Sequence, residues 1–173
     1  MKKLLATSAL AAILAAGTAT TTQANDRSLK ATMIPASACT LAPGSSAQLL
    51  FGVWTASAGE VVIECPLPLN NIEMGTTGTD NDISKFRIHY QDSDAAASSV
   101  LMNVSLYKIT AVPRSNSLVC QANLAPTTTS FTTTTVPCVH DVASGGAFYT
   151  FRISMLVSPN SGNSASFIGI DFP

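Results

Sequence analysis

The chain has 173 residues, a formal net charge of −1 at neutral pH and only 11% charged residues. Its few charges are scattered and of both signs, which excludes the concentrated positive charge by which proteins bind nucleic acids or anionic membrane surfaces. A chain of this length is long enough to form one domain with a substantial hydrophobic core.

The first predicted element is a secretory signal peptide over residues 1–24. Two lysines begin it, residues 4–16 form its apolar centre, and small residues precede the expected cleavage point. The apolar run is shorter than a transmembrane helix needs, no second one follows, and the first cysteine, Cys39, lies too far inside to carry a lipid anchor at the cleavage point. We therefore expect a secreted or periplasmic bacterial protein whose mature form, residues 25–173, has a charge of −3 and no membrane span.

After the signal peptide, apolar and polar residues alternate with a period of two, which is typical of β-strands that bury one face. The clearest case is the alternation of Phe86, Ile88 and Tyr90 with charged neighbours. The predicted strands are residues 29–34, 48–54, 60–65, 86–90, 100–106, 118–122, 131–136, 149–157 and 166–172.

Turn-rich segments separate these strands, and no segment of the mature chain has a convincing helical period; residues 94–99 form at most one helical turn. The Thr-rich run 127–135 is expected to be a polar edge strand or part of a long hairpin. Because strands and helices do not alternate, parallel α/β folds are excluded. We predict an all-β fold, an antiparallel two-sheet β-sandwich in a single domain with two disulfides.

Four cysteines in an exported chain predict two disulfides, for which three pairings exist. We favour Cys39–Cys65 and Cys120–Cys138, because each encloses a short loop of about two strands and a turn. No two cysteines have the close spacing of a structural zinc site.

Catalytic motifs are absent from the sequence: it contains neither the Gly-x-Ser-x-Gly of serine hydrolases nor the His-Glu-x-x-His of zinc proteases. Cys138 and His140 are two residues apart, so in an extended strand they point to the same side, as a cysteine–histidine dyad requires. The dyad also requires a free thiolate, which a disulfide at Cys138 would remove. We therefore predict that the protein is not an enzyme and has no cofactor.

Two short acidic clusters invite a calcium interpretation, because this hard cation binds several carboxylate and carbonyl oxygens. Asp80 and Asp82 are the better candidates, since nearby threonines supply further oxygens, and Asp92 with Asp94 forms the second cluster. The two clusters flank an extended strand and lie roughly 30 Å apart, so they do not share a site. The alternative is that both are turns stabilised by their own side chains.

Aromatic side chains are the candidates for sugar contact, because their rings combine a large apolar surface with a polar tip. Tyr90 and Tyr149 fall on the apolar faces of their strands and are expected in the core. Tyr107 falls on the opposite face from Leu106 and is expected to be exposed, and Trp54 follows an apolar run that favours a core position. Tyr107 and Trp54 are thus the residues that a carbohydrate-binding module would use.

Segments of the sequence resemble two classes of exported proteins. Residues 30–41 and the alternating Ile168, Ile170 and Phe172 resemble chaperone-usher pilins and spore-coat-like secreted pilins, which implies that the end strands complete a neighbour's sheet. The other resemblance covers most of the mature chain. Its segments, residues 37–39, 62–66, 118–120, 147–153 and 168–170, are similar to short exported bacterial β-sandwich proteins of unassigned function.

Neither resemblance implies active-site residues. The sequence therefore predicts an exported, non-catalytic protein with a surface-structural or interaction role, adhesin-like or pilin-like. The alternative is a lectin-like carbohydrate-binding module, and a secreted hydrolase comes third. The partner would be a second copy, another surface protein or a glycan, and not a nucleic acid.

Overall fold

The structure is a computed structural model that describes residues 33–67, 83–95, 99–111, 113–125, 128–140 and 147–173. The predicted signal peptide and the calcium candidates Asp80 and Asp82 lie outside the described residues. Within them the chain forms eleven strands and one short 3-10 turn, Ala36–Ala38, and no α-helix. The strands are β1 (Ile34–Pro35), β2 (Thr40–Leu41), β3 (Gln48–Leu50), β4 (Val53–Ala56), β5 (Gly59–Pro66), β6 (Ile83–Asp92), β7 (Val100–Ala111), β8 (Arg114–Leu124), β9 (Thr132–His140), β10 (Ala147–Val157) and β11 (Ala165–Asp171).

The strands form two antiparallel sheets, which confirms the predicted β-sandwich. The first sheet has the order β3-β4-β11-β6-β9, with β1 also paired to β11. The second has the order β2-β5-β10-β7-β8. Pairing of β1 with β11 joins the two ends of the described chain within one molecule, so the likeness to pilins gains no support from the structure.

The two-residue alternation buries one face of each long strand, and the core lies between the sheets. In β10, every second residue from Ala147 to Val157 is buried and the intervening ones are more exposed. Rings from opposite sheets meet in this core: Phe86 of β6 and Phe151 of β10 have centroids 4.8 Å apart in an edge-to-face arrangement. Such an aromatic pair stabilises the fold by roughly 1 kcal/mol beyond the burial of its surface.

Both predicted disulfides, Cys39–Cys65 and Cys120–Cys138, are present. Cys120 lies on β8, at the edge of the second sheet, and Cys138 lies on β9, at the edge of the first. This bridge therefore joins the sheets covalently along one side of the sandwich. The cysteines of the two bridges are 26 and 18 positions apart in sequence. Closing loops of these lengths lowers the entropy of the unfolded chain, which stabilises the fold by about 3 kcal/mol for each bridge.

One predicted strand was wrong: residues 48–54 form two strands, β3 and β4, joined by a tight turn. Phe51 and Gly52 both have positive φ, 51° and 77°, as a two-residue hairpin turn requires. The turn was not predicted because its first residue is phenylalanine, whereas asparagine, aspartate or glycine usually occupies that position.

Candidate functional site

The outer face of the second sheet carries a polar groove, which we call the Tyr107 groove. Strand register builds it. Tyr107 of β7 pairs with Thr150 of β10, and Arg152 of β10 pairs with Glu64 of β5, two residues further along. Residues two apart in a strand project from the same face, so these side chains are neighbours pointing away from the core.

The β7–β8 hairpin completes the groove by adding two side chains from its other arm. Ile109 pairs with Asn116, and Arg114 lies two residues before Asn116 on the same face. The resulting hollow has a volume of about 290 Å³. Its lining residues are Glu64, Tyr107, Ile109, Arg114, Asn116, Thr150 and Arg152.

One of the two arginines in the groove is held in place by its neighbours. Arg152 Nη2 lies 2.8 Å from Glu64 Oε1, and the guanidinium carbon of Arg152 lies 5.6 Å from the centroid of the Tyr107 ring. Both members of the ion pair are substantially exposed, 48% for Arg152 and 39% for Glu64, so the pair contributes less than about 1 kcal/mol to stability. Its main consequence is to orient the guanidinium over the groove.

The other arginine, Arg114, is exposed at the start of β8. The ion pairs between described residues join Arg87 and His89 to Asp171 and Arg152 to Glu64, and none of them includes Arg114. The groove therefore holds two positive charges and one negative charge.

An apolar hollow of about 480 Å³ continues the same face toward the other end of β10. Leu101 pairs with Leu156 on this face, and both are exposed. Asn103 and Ser154 form the next pair toward the groove. The strip from Thr150 to Leu156 is about 20 Å long at the rise of an extended strand, and it changes from polar to apolar along its length.

Of the two predicted sugar contacts, only Tyr107 lies on this face, where it is partly exposed as expected. Trp54 lies on β4 in the other sheet. Its ring packs against the core and its Nε1 donates a 2.8 Å hydrogen bond to the carbonyl oxygen of Ala36. The bond anchors the 3-10 turn beside the Cys39–Cys65 bridge, so Trp54 and Tyr107 do not form one site.

The outer face of the first sheet carries a hydrogen-bonded chain of side chains that sequence reasoning missed. Thr133 Oγ1 lies 2.9 Å from His89 Nδ1, and His89 Nε2 lies 3.3 Å from Asp171 Oδ2. Arg87 donates to both carboxylate oxygens of Asp171, at 2.8 and 2.6 Å, and this bond holds the pKa of Asp171 below its usual range. The residues belong to β6, β9 and β11. Because these strands are far apart in sequence, the cluster could not be predicted from the sequence.

The Cys138–His140 dyad, against which the predicted disulfide argued, is excluded because Cys138 is bonded to Cys120. His140 Nε2 instead lies 3.0 Å from the Tyr149 hydroxyl, which comes from the opposite sheet.

The second acidic cluster is a carboxyl pair at the end of β6. Asp92 is only 1% exposed, and its Oδ1 accepts a 2.9 Å hydrogen bond from the Asp94 amide. Burial, and next the neighbouring Asp94 side chain, raise the pKa of Asp92 to about 6. Burial also acts to raise the pKa of Asp94, but hydrogen bonds from Ser99, Asp92 and the Val100 amide together lower it.

This pair does not form a metal centre with other side chains that the structure describes. Within the described ranges, no group of three or more histidine, cysteine, aspartate or glutamate residues is arranged to hold a metal ion. The same part of the chain has no helix long and apolar enough to cross a membrane.

No protein-family model matches this chain, and no curated protein matches it. Solved structures do resemble it in fold. A xylan-binding module, CBM86, from Roseburia intestinalis is 12% identical with a TM-score of 0.48, over 83% of this chain and 94% of that one. The CBM36-1 domain of a xylanase from the hindgut metagenome of Trinervitermes trinervoides is 11% identical with a TM-score of 0.46, over 83% and 96%.

A third similar structure, a family two carbohydrate esterase from Cellvibrio japonicus, is 10% identical with a TM-score of 0.42. The match covers 82% of this chain and spans only a third, 33%, of the esterase. At these identities the likeness concerns the β-sandwich architecture alone.

Proposed function

We propose that this chain is an exported, non-catalytic glycan-binding module that recognises its sugar with the Tyr107 groove. One observation carries the proposal. Four strands bring one aromatic ring and five hydrogen-bonding side chains together on a single outer sheet face. A polar groove of this composition suits a ligand that is covered with hydroxyl groups.

The side chains of the groove match the chemistry of a sugar. Each sugar hydroxyl both donates and accepts hydrogen bonds. Glu64 accepts, Arg152 donates, and Asn116 does both. The Tyr107 ring would supply an apolar surface beside these groups, against which the C–H face of a sugar ring can pack on the side away from Arg152. Because Glu64 already orients Arg152, less side-chain entropy is lost when a ligand binds.

Export is the second part of the proposal. Two disulfides are typical of proteins that fold in an oxidising compartment, and the sequence of residues 1–24 predicts a secretory signal peptide. A polysaccharide outside the cell is therefore a ligand that the mature protein would meet.

The test is affinity electrophoresis in gels that contain soluble polysaccharides, followed by calorimetry with the best ligand. Tyr107→Ala is expected to weaken binding by about tenfold, since the ring both buries surface and stacks. Phe131→Ala is the matched control, because Phe131 is an exposed aromatic residue outside the groove. The proposal fails if no polysaccharide retards the protein, or if the control weakens binding as much as Tyr107→Ala.

A different observation favours the other predicted role, an interaction surface that binds a second copy. At the tip of the β3–β4 hairpin, Leu50 is 58% exposed and Phe51 is fully exposed. Sedimentation velocity over a wide concentration range tests this role. Self-association that disappears in Phe51→Asn would support it, and a monomer at every concentration would reject it.

A further inference from the structure

We infer that the ligand of the Tyr107 groove is an acidic glycan whose uronate carboxylate pairs with Arg114. The inference rests on the proposed glycan-binding function and adds the class of sugar. It begins from the charges of the groove, where Glu64 compensates Arg152 and none of the ion pairs between described residues compensates Arg114.

Arg114 occupies a fixed position. At the end of the β7–β8 hairpin, the Thr110 hydroxyl donates a 2.8 Å hydrogen bond to the Pro113 carbonyl oxygen and lies 2.7 Å from the Ser115 hydroxyl. The bond to Pro113 and the pairing of Arg114 with Ala111 hold the backbone at this point, while the Arg114 side chain stays exposed at the groove. A guanidinium presented in this way offers two parallel N–H groups to an incoming carboxylate.

The surroundings of Arg114 favour a sugar acid over a simple anion. Asn116 lies on the same strand face, and Tyr107 lines the same hollow, so a bound carboxylate would have a hydroxyl partner and a ring beside it. The protein as a whole is weakly acidic, with a formal charge of −1 for the full sequence, so general attraction of anions does not explain such binding. The attraction would have to be local, from the Arg114 guanidinium, which no ion pair between described residues includes.

The experiment compares two probes that differ only at the uronate carboxyl group, which is charged in galacturonan oligosaccharides and neutral in the same oligosaccharides after full methyl esterification. Calorimetry at low ionic strength is expected to show about tenfold tighter binding of the acid form, because one charge-assisted bidentate contact is lost on esterification. Glucuronate-substituted xylan and unsubstituted xylan form a second pair that distinguishes the source of the uronate.

Arg114→Gln should remove the preference for the acid form, so that acid and ester bind this variant with similar affinities. Arg114→Lys should keep part of the preference, because it keeps the charge and loses the planar fork. Lys85→Gln is the control for net charge, since Lys85 is exposed on the first sheet, away from the groove. Thermal unfolding of each variant establishes that all three are folded.

Two results would overturn the inference while glycan binding stands. In one, acid and ester bind equally and Tyr107→Ala weakens both. In the other, only neutral polysaccharides bind. If no glycan binds under any condition, the proposed function fails together with the inference. A preference for the acid form that persists in Arg114→Gln would also reject the role of Arg114.

Discussion

The buried carboxyl of Asp92 makes the stability of the protein depend on pH in a direction that can be tested by Asp92→Asn. The folded-state pKa is raised from 3.8 to about 6, so between these values the folded protein holds a proton that the unfolded chain releases. Stability from this group is therefore complete below pH 4 and is lost as the pH rises through 6. At 1.36 kcal/mol per pKa unit, the loss above pH 7 is about 3 kcal/mol.

Asparagine reproduces the protonated state of Asp92. Its Oδ1 still accepts from the Asp94 amide, and its Nδ2 can donate to the Asp94 carboxylate in place of the proton of the Asp92 carboxyl. We expect Asp92→Asn to be more stable than the wild type by about 2–3 kcal/mol at pH 8 and equally stable near pH 4. Asp94 does not change this comparison. Because its pKa is lowered on folding, its protonation destabilises the folded protein only at pH values below 4, outside the range of the comparison.

The assay is urea unfolding with intact disulfides at unit steps from pH 4 to pH 8, with the midpoint and the slope fitted at each pH. Glu60→Gln is the matched control, since it removes one carboxylate from an exposed position and should follow the wild type at every pH. A variant Asp92→Asn that is less stable than the wild type at pH 8, or whose difference from it does not shrink toward pH 4, would refute the reasoning.

Three further predictions concern the fold. Gly169→Ala should lower the free energy of unfolding by about 1–3 kcal/mol in urea titrations, because its Cβ would lie 2.7 Å from the Ile34 carbonyl oxygen. Phe51→Asn should raise it by about 0.5–1 kcal/mol, since Phe51 is exposed at positive φ and asparagine tolerates that conformation. Replacing Cys120 and Cys138 together by serine should cost about 3 kcal/mol; an unchanged urea midpoint would contradict the stabilising role of this bridge.

The fold was largely predictable because the alternation of apolar and polar residues that indicates a strand lies within that strand's own sequence. A two-residue alternation identifies each long strand by itself, and in β10 it also identified the buried side chains. The phase of the alternation placed Tyr107 on the outer face for the same reason. The β3–β4 turn was missed because residues 49–54 are a nearly continuous apolar run, in which no residue type marks the reversal except Gly52.

The groove was not predictable beyond Tyr107, because its residues meet only through strand register. Glu64 and Arg152 are 88 positions apart, and nothing in their local sequences indicates that β5 and β10 are neighbours. The Asp92–Asp94 cluster was recognised but interpreted as a calcium candidate or a turn, since sequence alone does not reveal that Asp92 is buried. Burial, together with the neighbouring Asp94 carboxyl, raises the pKa of Asp92.

The two outer faces differ in whether their exposed arginines are already paired, and this difference favours the second face as the surface that a ligand would use. On the first sheet, Arg87 binds both oxygens of Asp171 and His89 contacts the same carboxylate, so a ligand would have to break an existing network. On the second sheet, Arg114 is paired to no carboxylate among the described residues, and a ligand would complete the groove without displacing a protein contact. A ligand at the second face would therefore displace fewer protein contacts, which is why we propose recognition there.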